Sequence, residues 1–554
     1  MLRMGLVAAT AMLLAGCATA NGGCAARTDA AAPAISATTL QEVVRTLASD
    51  EFEGREPGTP GEEKSVRYIA QRFEAAGLQP GNNGSWYQEV PLAEITAGNH
   101  APLAIGDMLF THATDWVGVT YREQERVDLT DSELVFVGYG INAPERNWND
   151  YAGIDMRGKT AVILVNDPDY QNDGLDGPFG GRAMTFYGRW TYKFEEAARQ
   201  GAAGALIVHD AFPAAYGWNV VESSWTGPQA HAARADRGAS QTLMNGWVQK
   251  NVAERIIAAA GRDLATLTAA AQRPGFKPVP LGLTVSTGFD NTIRRFASKN
   301  VVGLLPGAER PEEYVLYSGH WDHLGRCTPA PDGDDICNGA IDNATGIAAL
   351  VALAEANRAA GPAARSQVFL AVTAEESGLL GSEYYGANPV FPLAQTVGGV
   401  NMDAIAMAGP ARDVTVIGGG KSELDAVLEQ ALAASGRTIT PDPSPQAGYY
   451  YRSDHFSLAK RGVPMFYIDS GQDLVEGGTA AGAAYDAAYR DNAYHGPKDE
   501  YDPDWNWDGI VSDVGLFYRL GRMLADGDSW PNWYPDDEFR RIRDESCAAS
   551  AKGC

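Results

Sequence analysis

From about Leu281 onward, short apolar runs alternate with segments of helical length, and this alternation constrains the fold more than any other feature. Residues 301–305, 314–318 and 367–373 are short and predominantly apolar, as buried strands are, while residues 346–360 have the length and periodicity of a helix. Alternation of this kind predicts a mixed, mostly parallel sheet with helices on both faces. In such sheets binding sites form at the carboxyl ends of the strands, so the residues that follow each run are the candidates for chemistry.

The remaining segments of the chain show other sequence patterns. Helices are predicted at residues 39–47 and 62–76, and short β-like runs from about residue 110 predict a smaller inserted α/β module. Within that module, residues 187–190 and 218–225 are interpreted as aromatic loop material. A length of 554 residues suits two or three domains. The predicted divisions are a signal peptide at 1–17, a tether at 18–37, a sheet domain at 38–109 and 281–530, an insert at 110–280, and a C-terminal tail at 531–554.

The N-terminus has the pattern of an exported lipoprotein. Arg3 precedes the apolar run 5–14, which is too short to span a bilayer but has the length of a signal-peptide core. The run ends in the sequence LAGC, which resembles a bacterial lipobox with Cys17 as the acylated residue; a plain secretory signal is the alternative. Ala18 after the cysteine favours the outer membrane. We therefore expect a lipoprotein of the bacterial cell envelope, facing the periplasm or the cell surface and touching the membrane only through Cys17.

The net charge and the cysteine content are consistent with an exported protein that binds no nucleic acid. The formal net charge of −26 argues against a nucleic-acid partner, because the phosphate backbone would be repelled. Four of the six cysteines form two local couples, Cys327 with Cys337 and Cys547 with Cys554. Both couples are candidate disulfides in an oxidising compartment, since neither has the C-x-x-C spacing of a zinc ribbon. The sequence does not fix how they pair.

Several residues with metal-binding side chains follow the predicted strands. His320 follows the run 314–318, and Asp322 is placed to hold its other ring nitrogen. Taken alone, His320 is more commonly a hydrogen-bonded structural histidine. Asp342 lies directly before the long helix, where it would bridge two cations; the alternative is that Asp342 or Asn343 simply caps the helix. Asp403 follows another apolar run.

Two adjacent glutamates follow the run 367–373, and they would repel each other unless cations, a proton or solvent screened them. A division of roles resolves this, with Glu376 binding a metal and Glu375 acting as the general base; a solvated loop is the alternative. Far downstream, His495 lies beside Tyr494 in a loop. Tyr494 could donate a hydrogen bond to a developing oxyanion, which is worth about 2.7–4 kcal/mol per donor, or it could simply pack.

This ordered set of residues resembles the co-catalytic zinc aminopeptidases, family twenty-eight of the metallopeptidases, which are related to glutamate carboxypeptidase and the transferrin receptor. The matching motifs are His320-Trp-Asp322, Asn338-Gly-Ala-Ile-Asp342-Asn-Ala-Thr-Gly346, Glu375-Glu376, Asn401-Met-Asp403 and Tyr494-His495. Residues 53–55 and 452–455 are further family-like segments. The resemblance covers about residues 38–530 and implies a zinc exopeptidase-like fold, with residues 110–280 as a protease-associated domain.

The resemblance also implies a site with two zinc ions. His320 and Asp403 would bind one ion, Glu376 and His495 the other, and Asp342 would bridge them. Glu375 would be the general base, Asp322 the partner of His320, and Tyr494 a stabiliser of the transition state. His323 and His455 would support the site without binding metal, and Ile341 stands where many relatives have an acidic residue. Two imidazoles and three carboxylates suit zinc, although manganese or cobalt could substitute.

The function implied is that of an exported metallo-aminopeptidase, which removes N-terminal residues from peptides with metal-activated water. Its partners would be peptides with a free N-terminus. One alternative is carboxypeptidase-type specificity, with Arg452 or Lys498 binding a substrate carboxylate, and a glutaminyl cyclase is a weaker one. A non-catalytic, receptor-like relative would have lost ligands or the base, whereas all of them are present in this chain.

Overall fold

The computed structural model describes residues 33–549, so the predicted signal peptide, Cys17, most of the tether and Cys554 lie outside the described residues. The α-helices are Ala37–Leu47, Pro60–Ala75, Trp190–Arg199, Ala211–Ala214, Trp218–Trp225, Lys250–Ala259, Leu264–Ala271, Thr345–Ala359, Leu380–Ala387, Leu424–Ala433, His455–Ala459, Gly478–Asn492, Asp508–Asp526 and Arg540–Ala549. The strands are Gln79–Pro80, Tyr87–Gly98, Leu103–Ile105, Met108–Phe110, Trp116–Val119, Arg126–Phe136, Asn142–Ala143, Trp148–Asn149, Thr160–Leu164, Gly204–His209, Gln229–Ala232, Met244–Gln249, Val279–Leu305, Arg310–His320, Gly325–Arg326, Ile336–Cys337, Arg365–Val372, Thr396–Asn401, Asp413–Val416, Thr438–Pro441 and Met465–Ser470. Every helix within this range is too short or too polar to span a bilayer.

The larger unit is built on a mixed sheet. Its strands, in spatial order, are Val279–Leu305, Arg365–Val372, Arg310–His320, Thr396–Asn401, Met465–Ser470, Asp413–Val416 and Thr438–Pro441. The middle strands of this order, from Arg365–Val372 to Met465–Ser470, run parallel to one another, and an antiparallel neighbour flanks them on each side. The predicted α/β fold with a mostly parallel sheet is therefore confirmed.

Both faces of this sheet are covered, which explains why its central strands are apolar along their whole length. All residues of Arg365–Val372 are buried. Successive side chains of a strand point to opposite faces, and accordingly Val315 and Tyr317 join one core while Leu316 joins the other. The first core also contains the apolar faces of the predicted N-terminal helix and of Thr345–Ala359.

The segment between Gly98 and Asp290 forms a second α/β unit with apolar clusters of its own. Its parallel strands, in spatial order, are Arg126–Phe136, Thr160–Leu164, Gly204–His209 and Met244–Gln249. We call this unit the insert; its identification as a protease-associated domain and its boundaries at 110 and 280 stay predictions.

Residues 218–225, interpreted above as loop material, form the helix Trp218–Trp225. Its buried residues Val221 and Trp225 lie one turn apart, so they form one apolar face. Trp225 packs against Trp190 with ring centroids 5.6 Å apart. The interpretation was wrong because Val221 and Trp225 have the spacing of one buried helix face.

One strand joins the two units. Val279–Leu305 pairs first with Arg126–Phe136 of the insert, then with Tyr87–Gly98, and finally with Arg365–Val372 of the central sheet. The sequence predicted only its last residues, 301–305, because the preceding stretch alternates exposed and half-buried side chains along a two-stranded ribbon.

The insert and the C-terminal residues both pack against the larger unit. The backbone N–H of Met184 in the insert donates to Pro445 O at 3.0 Å. Glu538 lies 3.0 Å from Lys421 Nζ and 3.6 Å from Arg146 of the insert. Among the described C-terminal residues, Glu538 thus contacts both units. Of the two predicted disulfides, Cys327–Cys337 is present, while the other includes Cys554 and stays a prediction.

Candidate metal centre

Three neighbouring parallel strands end at one edge of the sheet and carry most of the site. Arg310–His320 ends at the first predicted ligand, Glu375 and Glu376 follow Arg365–Val372, and Asp403 follows Thr396–Asn401. His320 Nε2 lies 3.2 Å from Asp403 Oδ1. The register of the sheet therefore brings together residues far apart in sequence.

Asp342 lies between two histidines. Its Oδ1 is 3.3 Å from His320 Nε2, and its Oδ2 is 3.3 Å from His495 Nε2. Glu376 Oε2 lies 3.1 Å from the same nitrogen of His495. Asp342 does not cap the following helix, since that helix has no side-chain hydrogen bond at its N-cap. The two oxygens of one carboxylate thus face two different imidazoles.

A third histidine contacts this group. His323 Nδ1 lies 2.6 Å from Glu376 Oε1, and His323 Nε2 is buried without a hydrogen-bond partner among the described residues. His320, Asp342 and Asp403 offer donor atoms within 4.8 Å of one another, as do His323, Asp342 and Glu376. His323 and His495 therefore both lie close to Glu376, in the cluster that also contains Asp342.

Asp322 acts on the site through the backbone. Its carbonyl oxygen, rather than its carboxylate, approaches His320 Nδ1 most closely, at 3.1 Å, whereas its Oδ1 is 3.8 Å away. The carboxylate accepts hydrogen bonds from the N–H groups of Glu375 and Glu376, at 3.1 and 3.4 Å. Asp322 therefore holds the loop that carries both glutamates.

Two residues that the sequence did not single out fix the other loops. Asp499 accepts hydrogen bonds from the backbone N–H groups of Ile341 and Asp342. Ser453 donates a hydrogen bond of 2.6 Å to Asp403 Oδ2. Such partners orient metal ligands. The only sequence signals were that Ser453 lies in the family-like segment 452–455 and that Asp499 follows His495 by four residues.

Arg55 explains the predicted importance of residues 53–55. Its side chain is fully buried and donates to the carbonyl oxygens of Leu47, Trp321, Asn338 and Gly339. Burial lowers the pKa of Arg55 to about 10, while nearby carboxylates oppose this effect. The guanidinium thus ties the loops around His320 and Asp342 to the N-terminal helix.

The electrostatics of the site favour bound positive charge. Burial raises the pKa of Asp322 to about 6 and, together with Glu376, raises that of Glu375 well above its usual range. Against the effect of burial, hydrogen bonds to Asp342 and Glu376 raise the pKa of His495 to about 10. Converging imidazole and carboxylate donors with this excess of buried negative charge fit zinc ions.

The remaining predicted residues also lie at this edge. The ring of Tyr494 stacks on that of His495 with centroids 3.9 Å apart, and Tyr494 is about half exposed. Burial raises the pKa of Asp469 to about 8 and that of Asp454 to about 7, and Asp403 adds to both shifts. The sequence did not assign a role to either aspartate, because neither belongs to a pattern of ligand spacing.

One family model and several known proteins match the part of the chain that carries this site. Residues 300–516 match the model of peptidase family M28. The aminopeptidase NAALADL1 of Mus musculus is 30% identical over 139 residues, which cover 24% of this chain and 17% of that protein. A probable zinc metalloprotease of Pyrenophora teres f. teres is 33% identical over 123 residues, covering 22% of this chain and 23% of that protein. The match thus spans less than a quarter of the length of these relatives.

Solved structures with similar chains include two bacterial peptidases. An aminopeptidase from Aneurinibacillus sp. strain AM-1 has a TM-score of 0.48 and 19% identity, covering 90% of this chain and 95% of its own. A peptidase M28 precursor from Shewanella amazonensis SB2B has a TM-score of 0.39 and 17% identity, covering 90% of this chain and 99% of its own.

All five predicted ligands and Glu375 lie inside the segment 300–516 that the family model matches. The resemblance inferred from the order of these residues is therefore confirmed. The segment that carries the site, residues 300–516, therefore matches peptidase family M28.

Proposed function

We propose that this protein is an exported aminopeptidase whose site holds two zinc ions. The observation that carries the proposal is the placement of Asp342, whose two carboxylate oxygens face His320 and His495 at 3.3 Å each. A carboxylate shared in this way suits a pair of cations rather than one. On this proposal His320 and Asp403 hold one ion with Asp342.

Glu376 and His495 hold the other ion. Two zinc ions at these positions would polarise the scissile carbonyl and lower the pKa of water. His323 is the competing ligand, because its Nδ1 is already 2.6 Å from Glu376 Oε1. We assign His323 to orienting Glu376, since His495 Nε2 lies 3.3 Å from Asp342 Oδ2 and 3.1 Å from Glu376 Oε2.

Glu375 acts as the general base on this proposal. It accepts a proton from the attacking water and transfers it to the leaving amine. Burial and the neighbouring Asp403 and Glu376 raise the pKa of Glu375, which suits a group that must hold a proton transiently. Asp322 positions Glu375 by accepting the hydrogen bond of its backbone N–H.

The acidic surroundings support cleavage from the N-terminus. Asp454 and Asp469 lie near the ligand Asp403; burial raises the pKa of both, and repulsion from Asp403 adds to each shift. A free α-amino group is positively charged and would relieve this repulsion. A peptide blocked at its N-terminus would not.

We also propose that the protein is exported and anchored through Cys17. The support is the N-terminal sequence, with the apolar run 5–14 directly before LAGC. The disulfide Cys327–Cys337 is consistent with an oxidising compartment.

Hydrolysis of a peptide panel tests the activity. Aminoacyl, N-terminally blocked and carboxy-terminally labelled peptides are incubated with the full chain, with and without a chelator, followed by zinc. We expect cleavage only at a free N-terminus, loss of turnover with the chelator and recovery with zinc. Cleavage of blocked peptides from the C-terminus would instead support carboxypeptidase specificity, and turnover unaffected by chelation would overturn the metal centre.

A further inference from the structure

A cavity of about 590 Å³ lies where the insert meets the larger unit. It has room for a small molecule together with bound water, since water occupies about 30 Å³ per molecule in the liquid. None of the lining residues is a predicted metal ligand. The charged lining residues are Glu195, Arg199 and Arg234 of the insert and Glu383, Lys460 and Arg461 of the larger unit.

Ion pairs connect these charges across the contact between the units. Glu195 lies 3.6 Å from Arg199 in its own helix and 3.3 Å from Lys460 of the larger unit. Lys460 also lies 3.4 Å from Glu383, which accepts hydrogen bonds of 2.7 and 3.1 Å from Arg461. Both carboxylates are about one third exposed, and pairs of this kind contribute little to stability. The pairs can therefore rearrange around a ligand at low cost.

Positive charge exceeds negative charge in the cavity, which has four cationic groups and two carboxylates in its lining. Glu196, just outside the lining, pairs with Arg199 at 2.7 Å. Arg234 is exposed, and among the described residues its guanidinium forms no ion pair or hydrogen bond. The carboxylate of Asp236, two residues further along, accepts hydrogen bonds from two backbone N–H groups instead. Even with Glu196 included, one positive charge in the cavity has no carboxylate partner.

The positive potential acts on Glu383. Burial alone would raise the pKa of this carboxyl, but Lys460 and Arg461 lower it to about 2. In a chain with a formal net charge of −26, a local excess of cations favours an anionic ligand. Guanidinium groups bind oxyanions with paired, charge-assisted hydrogen bonds. The donors of Arg234 are free to do so.

We propose that this cavity binds a small soluble anion with two negative charges, such as a phosphate monoester, and that the bound anion fastens the insert to the larger unit. Arg234 contacts the anion from the insert, and Lys460 contacts it from the larger unit. Two charges suit the site because the cations come from both sides of the contact. The inference is independent of the proposed function, since it concerns binding away from the metal ligands.

The position of the cavity links it to the catalytic edge. Glu383 lies in the helix Leu380–Ala387, and Lys460 follows the helix His455–Ala459. A hydrogen bond of 2.9 Å from Ser382 to Ser457 joins these two helices. They follow the loops that carry Glu376 and Ser453. The anion therefore binds to the support of both loops.

Calorimetric titration of the full-length, zinc-supplemented protein at constant ionic strength tests the proposal. The probe is propane-1,3-disulfonate, which keeps two charges at every pH used and binds zinc weakly. We expect one saturable site with Kd of about 1 mM or below, and about 10-fold weaker binding of propanesulfonate, which has one charge. Equal affinity for the two probes, or no saturation below about 10 mM, would overturn the site.

Substitutions of opposite sign identify the residues responsible. Arg234→Met should weaken binding of the disulfonate about 10-fold, because it removes a charged donor. Glu195→Gln removes a competing carboxylate and should tighten binding about threefold. A defect in folding cannot produce both changes. Arg262→Met is the matched control, since Arg262 is exposed on the insert and forms no ion pair among the described residues, and it should bind as wild type does.

Two further measurements test the bridge and the nature of the anion. Lys460→Met should also weaken binding about 10-fold, and a melting curve without the probe shows whether this variant is folded. Unchanged affinity in Arg234→Met or in folded Lys460→Met would overturn the bridge. Phosphatidylglycerol vesicles, whose headgroup carries one charge, should not bind the protein. Sedimentation with such vesicles that the disulfonate reverses would overturn the assignment to a soluble dianion.

Discussion

Asp499 holds Asp342 by its backbone: the N–H of Asp342 donates to Asp499 Oδ2 at 3.0 Å, while the other oxygen of Asp499 accepts from Ile341. The side chain of Asp342 is therefore free to face the two histidines. Asp499 is buried and lies four residues after His495, so one loop carries a predicted ligand and the support of another.

Asp499→Asn tests this support. The amide keeps the shape but replaces one acceptor with a donor, which opposes a backbone N–H. We expect zinc affinity or kcat/KM to fall about 10–100-fold, the usual effect of losing a group that orients ligands. Zinc titration and peptide hydrolysis measure this. Asp504→Asn, at an exposed position of the same loop region, is the control and should behave as wild type.

Paired alanine substitutions decide which histidine belongs to the second metal site. On our assignment, His495→Ala lowers zinc content from about two ions toward one, because it removes a ligand atom. His323→Ala keeps both ions and weakens their binding more modestly. Metal analysis after dialysis measures the content. The reverse pattern would exchange the roles of the two histidines.

Glu375→Gln separates chemistry from metal binding. We expect kcat to fall about 10²–10⁴-fold, the usual contribution of a positioned general base, with zinc content unchanged. Glu376→Gln is the matched comparison and should lose metal as well as turnover. An active Glu375→Gln protein would refute the assigned role.

Arg55→Met probes the stability of the scaffold. The substitution leaves four carbonyl oxygens without the donors they now have. Removing one partner of a buried charged network costs about 3–5 kcal/mol of unfolding free energy, which urea denaturation measures. Arg67→Met, on an exposed helix position, should cost much less. Equal costs would show that Arg55 contributes little to folding.

His455 predicts a pH effect on stability. Burial lowers its pKa to about 3, below its ordinary value, so the unfolded chain binds a proton more readily than the folded one. Stability is then lost as pH falls from about 6.5 toward 3. Between pH 7.5 and 5 we expect His455→Phe to remove about 1–2 kcal/mol of the wild-type loss. Urea denaturation with chelator present measures this, and identical losses would exclude the effect.

The sequence predicted the parts of the molecule that local pattern determines. Apolar runs located the central strands, with 367–373 observed as Arg365–Val372, and the helix predicted at 346–360 is observed as Thr345–Ala359. The residues at the strand exits converge because parallel strands place their carboxyl ends together. His320, Asp403 and Glu376 meet for this reason.

The side-chain contacts that the sequence did not predict join segments that are distant in the chain. Nothing local connects Arg55 with Trp321, since packing between distant segments brings the guanidinium to that carbonyl oxygen. The carboxylate of Asp322 was expected to hold His320, but it holds the backbone of the glutamate loop instead. Motif spacing identifies which residues are near one another and leaves open which of their atoms touch.

The pairing of strand Val279–Leu305 with Tyr87–Gly98 shows where the chain could be re-engineered. Gly98 and Asp290 pair across the ribbon, so both ends of the insert meet at one point. Removing the residues between them and closing the gap with a two-residue turn would leave a hairpin whose register already matches the central sheet. The tip of this ribbon is therefore the point at which another module could replace the insert while the register of the central sheet is kept.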